Sequence, residues 1–184
     1  RLSGVTVCID AGHQENGRFV NEPIGPGLTG STSGKGGMAQ GTKTNRRESI
    51  VCLEIGMLLR DELLRQGANV VMTREDQTTF HTNIECCEIA EAGGAQIMLR
   101  LHCNNSSNHS KRGIQVYGPL NSDYAKAVAD ADTYREMGQK LLDAMKTRVG
   151  MTLANSTGMV RLNDNYVGNN WAKMMCFLVE MGYL

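Results

Sequence analysis

The chain has 184 residues, and its 19 Lys+Arg are balanced by 19 Asp+Glu, so the formal net charge at neutral pH is zero. That length suits one domain with a real core, the neutral balance offers no basic field to nucleic acid or an anionic surface, and no apolar run is long enough to span a membrane. The chain opens at Arg1 almost directly on a strand, as a trimmed or mature domain would, so a missing targeting segment says little about its address.

Val5 to Asp10 (VTVCID) reads as the first strand, with Ala11-Gly12-His13 as its tight exit. Gln14 to Thr44 is a long loop rich in Gly, Ser and Thr, with Pro23 and Pro26. A structureless loop of that length is normally functional or mobile, and a substrate-side flap is expected. Its stretch GSTSGKGG is not a phosphate loop, because Gly36 stands where Ser or Thr would bind magnesium. Asn45 to Gln66 reads as a long helix: Cys52, Ile55, Leu59 and Leu63 recur at helical spacing, and Glu48 begins the same face. Gly67 closes it as a left-handed cap would.

Ala68 to Thr73 is the second strand, and Thr82 to Ala92 a shorter helix closed by Gly93-Gly94. Ala95 to Asn105 (AQIMLRLHCNN) is a nearly continuous apolar run, as expected for a strand covered on both faces, and it delivers His102 to its end. Gly113 to Tyr117 is a more polar strand, expected nearer an edge. Ser122 to Val149 carries a long helix with an irregular start. Met159 to Leu162 reads as a short strand, Asn163 to Asn170 as a polar loop, and Met174 to Glu180 (MMCFLVE) as the last strand. This alternation indicates a single α/β domain with a mostly parallel twisted sheet of about five to six strands flanked by helices. The six cysteines have no zinc-knuckle or C-x-x-C spacing and read as buried free thiols.

The ionisable residues fall in a pattern. His13 follows the first strand, His102 ends a later strand, Glu180 ends the last strand, and Glu48 opens the helix after the first strand. All four converge on the carboxyl edge of the sheet, where open α/β sheets place their ligands. Two imidazoles and a carboxylate with a position left to water is a catalytic zinc arrangement, and a second carboxylate nearby can take the proton of that water. Each has a plainer alternative. Glu48 stands three residues after Asn45 and could complete a capping box. His13 could hydrogen-bond its own turn, and His102 could be a satisfied core histidine. Glu180, following five apolar residues, is costly to bury without a partner. His81 and His109 sit in polar loops and read as solvated. There is no H-E-x-x-H, and His13-Gln14-Glu15 lacks the P-C-x-x-C partner of a zinc deaminase.

The motifs Ile9-Asp10-Ala11-Gly12-His13, Glu48 at the head of its helix, Val71-Met72-Thr73-Arg74, Leu101-His102-Cys103-Asn104 and Leu178-Val179-Glu180-Met181-Gly182-Tyr183 occur in that order. In this the chain resembles the zinc-dependent N-acetylmuramoyl-L-alanine amidases, matching their I-D-x-G-H, ligand glutamate, V-x-T-R, I-H-x-N and L-x-E-x-G-F/Y. The segment NEPIGPG and Arg100 are similar to a branch frequent in clostridia-like Gram-positive bacteria. The chain departs from the family at Gln14-Glu15 (commonly Gly-Gly), Cys52 (often Asn), Cys86 (usually Arg) and Met175 (usually Pro). It also stops at Leu184, where the family continues into a terminal helix, so residues 1–184 are expected to be the catalytic domain without that helix.

The resemblance implies a phosphorylase/hydrolase-like fold and one Zn2+ held by His13, Glu48 and His102, with Glu180 as catalytic base. It implies hydrolysis of the amide between the lactyl group of N-acetylmuramic acid and L-alanine. Asn104, Arg100 and Trp171 are candidate substrate contacts. It further implies a secreted or wall-associated bacterial monomer acting on peptidoglycan, with no nucleic acid partner and no membrane span; whether a protein activator takes part stays open. Two other readings remain: a catalytically silent zinc-containing peptidoglycan-recognition module, which would have no use for the base Glu180, and a zinc peptidase cutting the stem peptide.

Overall fold

The computed structural model describes residues 1–15, 20–32, 38–150 and 158–184. In chain order the elements are β1 (Thr6–Ala11), β2 (Glu22–Pro23), β3 (Ser31–Thr32), α1 (Glu48–Arg65), β4 (Asn69–Met72), α2 (Asn83–Ala92), β5 (Ile97–Asn104), β6 (Gln115–Gly118), α3 (Asp123–Val128), α4 (Ala131–Val149), β7 (Arg161–Leu162), α5 (Val167–Trp171) and β8 (Met175–Tyr183). Six strands form one sheet in the order β4-β1-β5-β8-β6-β7, and β2 and β3 form a separate two-stranded ribbon. β4, β1, β5 and β8 pair in parallel, whereas β6 runs antiparallel to β8.

The period of two along each strand explains the layering. Ile9, Leu101, Phe177 and Val179 point to one face, where they pack with Tyr134 and Leu142 of α4 and with Leu59 and Leu63 of α1. Cys8, Met98 and Cys176 point to the other face, against Cys86, Cys87 and Ala90 of α2. Both faces are therefore covered, which is why β5 and β8 read as unbroken apolar runs. The same alternation and the pairings Asp10↔Arg100 and His102↔Glu180 put these four polar side chains on the α2 face, stepping toward the carboxyl edge. All six cysteines are free and buried.

Several local expectations are corrected. The first long helix starts at Glu48, not Asn45: Asn45 has φ +57° and Arg47 is the N-cap. The helix expected over Ser122 to Val149 is two helices, because the Asp130 carboxylate accepts from Thr133 N (2.7 Å) and restarts the chain as a new cap. The polar stretch Asn163 to Asn170 contains most of α5, whose Asn169 and Asn170 are fully buried. Their amides donate to the carbonyls of Tyr117, Ile24 and Asp164, so their polarity serves neighbouring backbone rather than solvent. β6 does lie near an edge, as its more polar sequence suggests, with only the two-residue β7 outside it. The expected structureless flap contains the β2–β3 ribbon, and Lys35 of its glycine-rich stretch falls outside the described residues.

Phe177 sits at the centre of the sheet, 1% exposed, with its ring edge-on to Tyr134 at 5.9 Å. Phe177→Ala is expected to cost about 3–5 kcal/mol through lost burial and the cavity left behind, read as a lower urea midpoint with an unchanged slope.

Candidate active site

The site begins with a close approach of backbone. β1 leaves the sheet so near the end of β5 that Gly12 N donates to Leu101 O at 2.8 Å, and a Cβ on Gly12 would lie 2.4 Å from that carbonyl. Gly12 is thus required at this point. The turn then puts His13 in the left-handed region (φ +56°), a conformation that costs a non-glycine residue about 1–2 kcal/mol. Arg74, just past β4, holds that turn. Its guanidinium donates to Ala11 O (2.7 Å), Gly12 O (3.1 Å), Asp76 O (2.9 Å) and Ser49 O (2.7 Å). One buried side chain therefore ties the His13 turn to the head of α1.

Glu48 is the first residue of α1, and its carboxylate does not complete a capping box. Oε2 accepts from Ala39 N (2.9 Å) and lies 3.2 Å from His13 Nε2. Oε1 accepts from Cys103 N (2.9 Å) and lies 3.1 Å from His102 Nδ1. The two imidazoles meet edge to face with centroids 4.9 Å apart. One ligand atom from each of His13, Glu48 and His102 falls within 4.8 Å of the others, so the three can share a metal ion. The remaining nitrogens, His13 Nδ1 and His102 Nε2, are buried with no hydrogen-bond partner among the described residues. Two imidazoles short of partners beside an ionised carboxylate make a donor set that suits zinc.

Electrostatics separate the two glutamates. Burial pushes the Glu48 carboxyl up, but the hydrogen bonds and charges of His102 and His13 outweigh it and hold the group far below the usual carboxylate range. Burial, then repulsion by Glu48, raises Glu180 to about 7. Glu180 Oε2 is buried without a partner among the described residues. Burial also lowers His102 to about 4, which keeps it neutral near pH 7 despite Glu48. All four residues line one open cleft of about 510 Å³.

Of the other candidates, Asn104 lines the cleft at the end of β5. Arg100 also reaches its wall, but its guanidinium is engaged: Nε donates to Asp10 (3.0 Å) and Nη2 to Asn83 (2.6 Å), with the side chain 3% exposed. Trp171 packs edge-on to Tyr124 and donates to Pro23 O (2.8 Å), away from the cleft lining; its apolar ring is satisfied by neighbours and its N–H by backbone. His81 is half-buried, with its carbonyl accepting from Gln14, and His109 is exposed. Sequence reasoning missed the Asp10–Arg100 pair, Asn83, and the clamp made by Arg74. The available signal was an arginine directly after a strand end and an aspartate closing another.

An α/β domain with a His/Glu/His cluster that could hold a metal ion, and a second carboxylate in the same cleft at the carboxyl edge of its sheet, has the layout of a hydrolase. A family profile described as N-acetylmuramoyl-L-alanine amidase matches residues 7–184. The chain belongs to that family of peptidoglycan-cleaving enzymes. A search of curated protein sequences finds no match. Among solved structures, the apo form of Ami1, the N-acetylmuramyl-L-alanine amidase of Mycobacterium abscessus, superposes with TM-score 0.84 at 19% identity, covering 99% of this chain and 85% of that one. Ami1 of Mycobacterium smegmatis gives 0.83 at 17%, covering 100% and 84%. An N-acetylmuramoyl-L-alanine amidase of Clostridium difficile 630 gives 0.72 at 20%, covering 97% and 80%. At such identities these likenesses carry the fold, which they share over nearly all of this chain.

Two outcomes follow. Arg74→Lys keeps the charge but loses the fork that spans several carbonyls; zinc affinity in a chelator competition should fall about 10–100-fold while far-UV circular dichroism is unchanged. Glu180 has a folded pKa above its unfolded value of 4.5, so its contribution to stability is fully present below 4.5 and lost as pH rises through about 7. In the metal-free protein, Glu180→Gln should therefore raise Tm at pH 8 by a few degrees, about 1–2 kcal/mol, and leave it nearly unchanged at pH 4.5.

Proposed function

We propose that this amidase is zinc-dependent, with His13, Glu48 and His102 holding one Zn2+ and Glu180 serving as catalytic base. The observation that carries the reading is that Glu180, alone of the two carboxylates lining the cleft, has its proton affinity raised to about 7 and a buried oxygen without a partner among the described residues. A carboxyl tuned near neutrality can both accept and return a proton at working pH. Bound by the three ligands, Zn2+ supplies Lewis acidity toward the lactyl carbonyl and toward water. Glu180 takes a proton from the attacking water as its oxygen bonds to the lactyl carbonyl carbon. Glu180 then returns that proton to the L-alanine nitrogen as the carbon–nitrogen bond breaks. The products are a lactyl carboxylate on the sugar and a new L-alanine amino terminus.

Asn104, at the cleft mouth, orients the substrate; Arg100 and Trp171 act from behind it by holding neighbouring segments. On this reading residues 1–184 form the catalytic domain, acting as a monomer on peptidoglycan, secreted or wall-associated in a Gram-positive bacterium. Among the described residues no helix is long and apolar enough to cross a membrane.

The test is zinc content together with product analysis on purified peptidoglycan, for wild type and Glu180→Gln. One equivalent of zinc in both is expected, with new L-alanine amino termini from the wild type and a loss of about 10²–10⁴-fold in the variant. Chelation should abolish cleavage and added zinc restore it. Zinc in both with cleavage in neither favours the recognition module, new termini inside the stem peptide favour a peptidase, and no zinc in either removes the metal site.

A further inference from the structure

Among the described residues the β2–β3 ribbon is two residues per strand, paired at Glu22↔Thr32 and Pro23↔Ser31. An isolated pair of that length is not stable in water, so the ribbon's position is set by what it is tied to. Backbone ties exist: Trp171 Nε1 donates to Pro23 O (2.8 Å), Asn170 Nδ2 to Ile24 O (3.1 Å), and Asp123 N to Pro26 O (2.9 Å). The charged tie is Glu22. It is 3% exposed, and both carboxylate oxygens are received by the first turn of α2: Oε2 by Asn83 Nδ2 (2.6 Å) and Oε1 by Ile84 N (2.9 Å). A carboxylate buried at a helix N-terminus on two donors is a strong, directional contact, and it is costly to leave half-made.

Glu22 also joins a longer chain of buried polar groups. Asn83 Oδ1 accepts from Arg100 Nη2 (2.6 Å), Arg100 Nε donates to Asp10 Oδ2 (3.0 Å), and Asp10 Oδ1 accepts from Thr73 Oγ1 (2.8 Å). Asp10 is the penultimate residue of β1, three residues before His13. At the other end, Thr32 faces Glu22 across the ribbon and lines the cleft. One hydrogen-bonded chain thus connects the outer wall of the cleft to the strand that presents a cluster histidine.

We infer that Glu22 is a substrate-positioning residue: its docking into α2 fixes the β2–β3 ribbon as a rigid wall of the cleft, in register with the catalytic centre. This rests on the amidase reading for its substrate, the glycan-linked stem peptide, but the docking itself does not. Glu22 touches neither the reacting atoms nor the cluster, so its removal should loosen substrate placement and leave the chemistry intact.

The experiment uses Glu22→Gln, Asn83→Asp and the double variant. Glu22→Gln turns one acceptor oxygen into a donor that meets a donor. In the double variant the new amide can still accept from Ile84 N and donate to the new carboxylate at position 83, which still accepts from Arg100. Expected for Glu22→Gln are a KM for peptidoglycan fragments raised about tenfold, kcat within about twofold, and unchanged zinc content. The Ile24 amide, bonded to Gly30 O within the ribbon, should exchange hydrogen at least about tenfold faster. The double variant should recover both KM and exchange. The inference is overturned if Glu22→Gln leaves KM and exchange unchanged, if kcat falls with KM unmoved, or if the double variant recovers neither. Wild-type exchange stands independently of the variants' folding and of activity: Ile24 protected as well as the amides of α2 supports the docking, and exchange within seconds overturns it. A wild type with a protected ribbon but no release of L-alanine termini would sink the amidase reading and leave the docked wall standing.

Discussion

The site depends on what the fold does with one carboxylate. Glu48 is buried, and an ionised carboxylate removed from water is tolerable only when its lone pairs are filled. Here backbone donors from two distant segments, Ala39 and Cys103, take one position on each oxygen, and two histidines approach the others. The loop before α1, the end of β5, the exit of β1 and the first turn of α1 are therefore held to a common point. The cost of burial is offset only when all four segments are in place, so the geometry of the cluster and the closure of this end of the sheet are the same event. A neutral His102 leaves the charge of the ionised Glu48 beside it uncompensated by that imidazole, which favours a cation there.

The second glutamate shows the same physics with the opposite outcome. Glu180 stands beside His102 in the register of β5 and β8, yet no donor reaches its Oε2 among the described residues. Burial and the Glu48 charge then act without compensation, and proton affinity rises instead of falling. Two carboxylates in one cleft are thus driven apart in proton affinity, Glu48 by hydrogen bonds and the charges of its histidines, Glu180 by burial and the Glu48 charge.

How much of this could be read from the sequence follows the range of the interactions involved. β5 and β8 are legible because a strand covered on both faces must be continuously apolar, and the positions of His102 and Glu180 follow from where that run stops. Glu48 and His13 are legible as residues at an element's edge, but the choice between a helix cap and the histidine cluster for the Glu48 carboxylate is made by Ala39 and Cys103, which no local pattern marks. α5 is hidden because Asn169 and Asn170 look like loop residues and are in fact buried donors to backbone. The Glu22–Asn83–Arg100–Asp10 chain joins residues from four separate segments, so it is invisible to any reading that works through windows of neighbours.

Two buried arginines show why such long-range contacts matter at this end of the sheet. Strands that stop at an active edge leave backbone carbonyls without the ladder partners that the sheet interior supplies, and buried polar side chains there need partners of their own. Arg74 answers the carbonyls of Ala11, Gly12 and Ser49, and Arg100 answers Asp10 and Asn83. A planar fork with several donors can bridge groups from different segments in one fixed geometry, which a lysine's single ammonium cannot do. The first arginine sets the His13 turn against α1. The second sets β1 against α2 and, through Asn83 and Glu22, against the ribbon. The His13–Glu48–His102 side of the cleft and its ribbon side are thus braced by different arginines, and because Arg74 and Arg100 both hold the end of β1 at Asp10 to Gly12, the two sides are coupled through that segment.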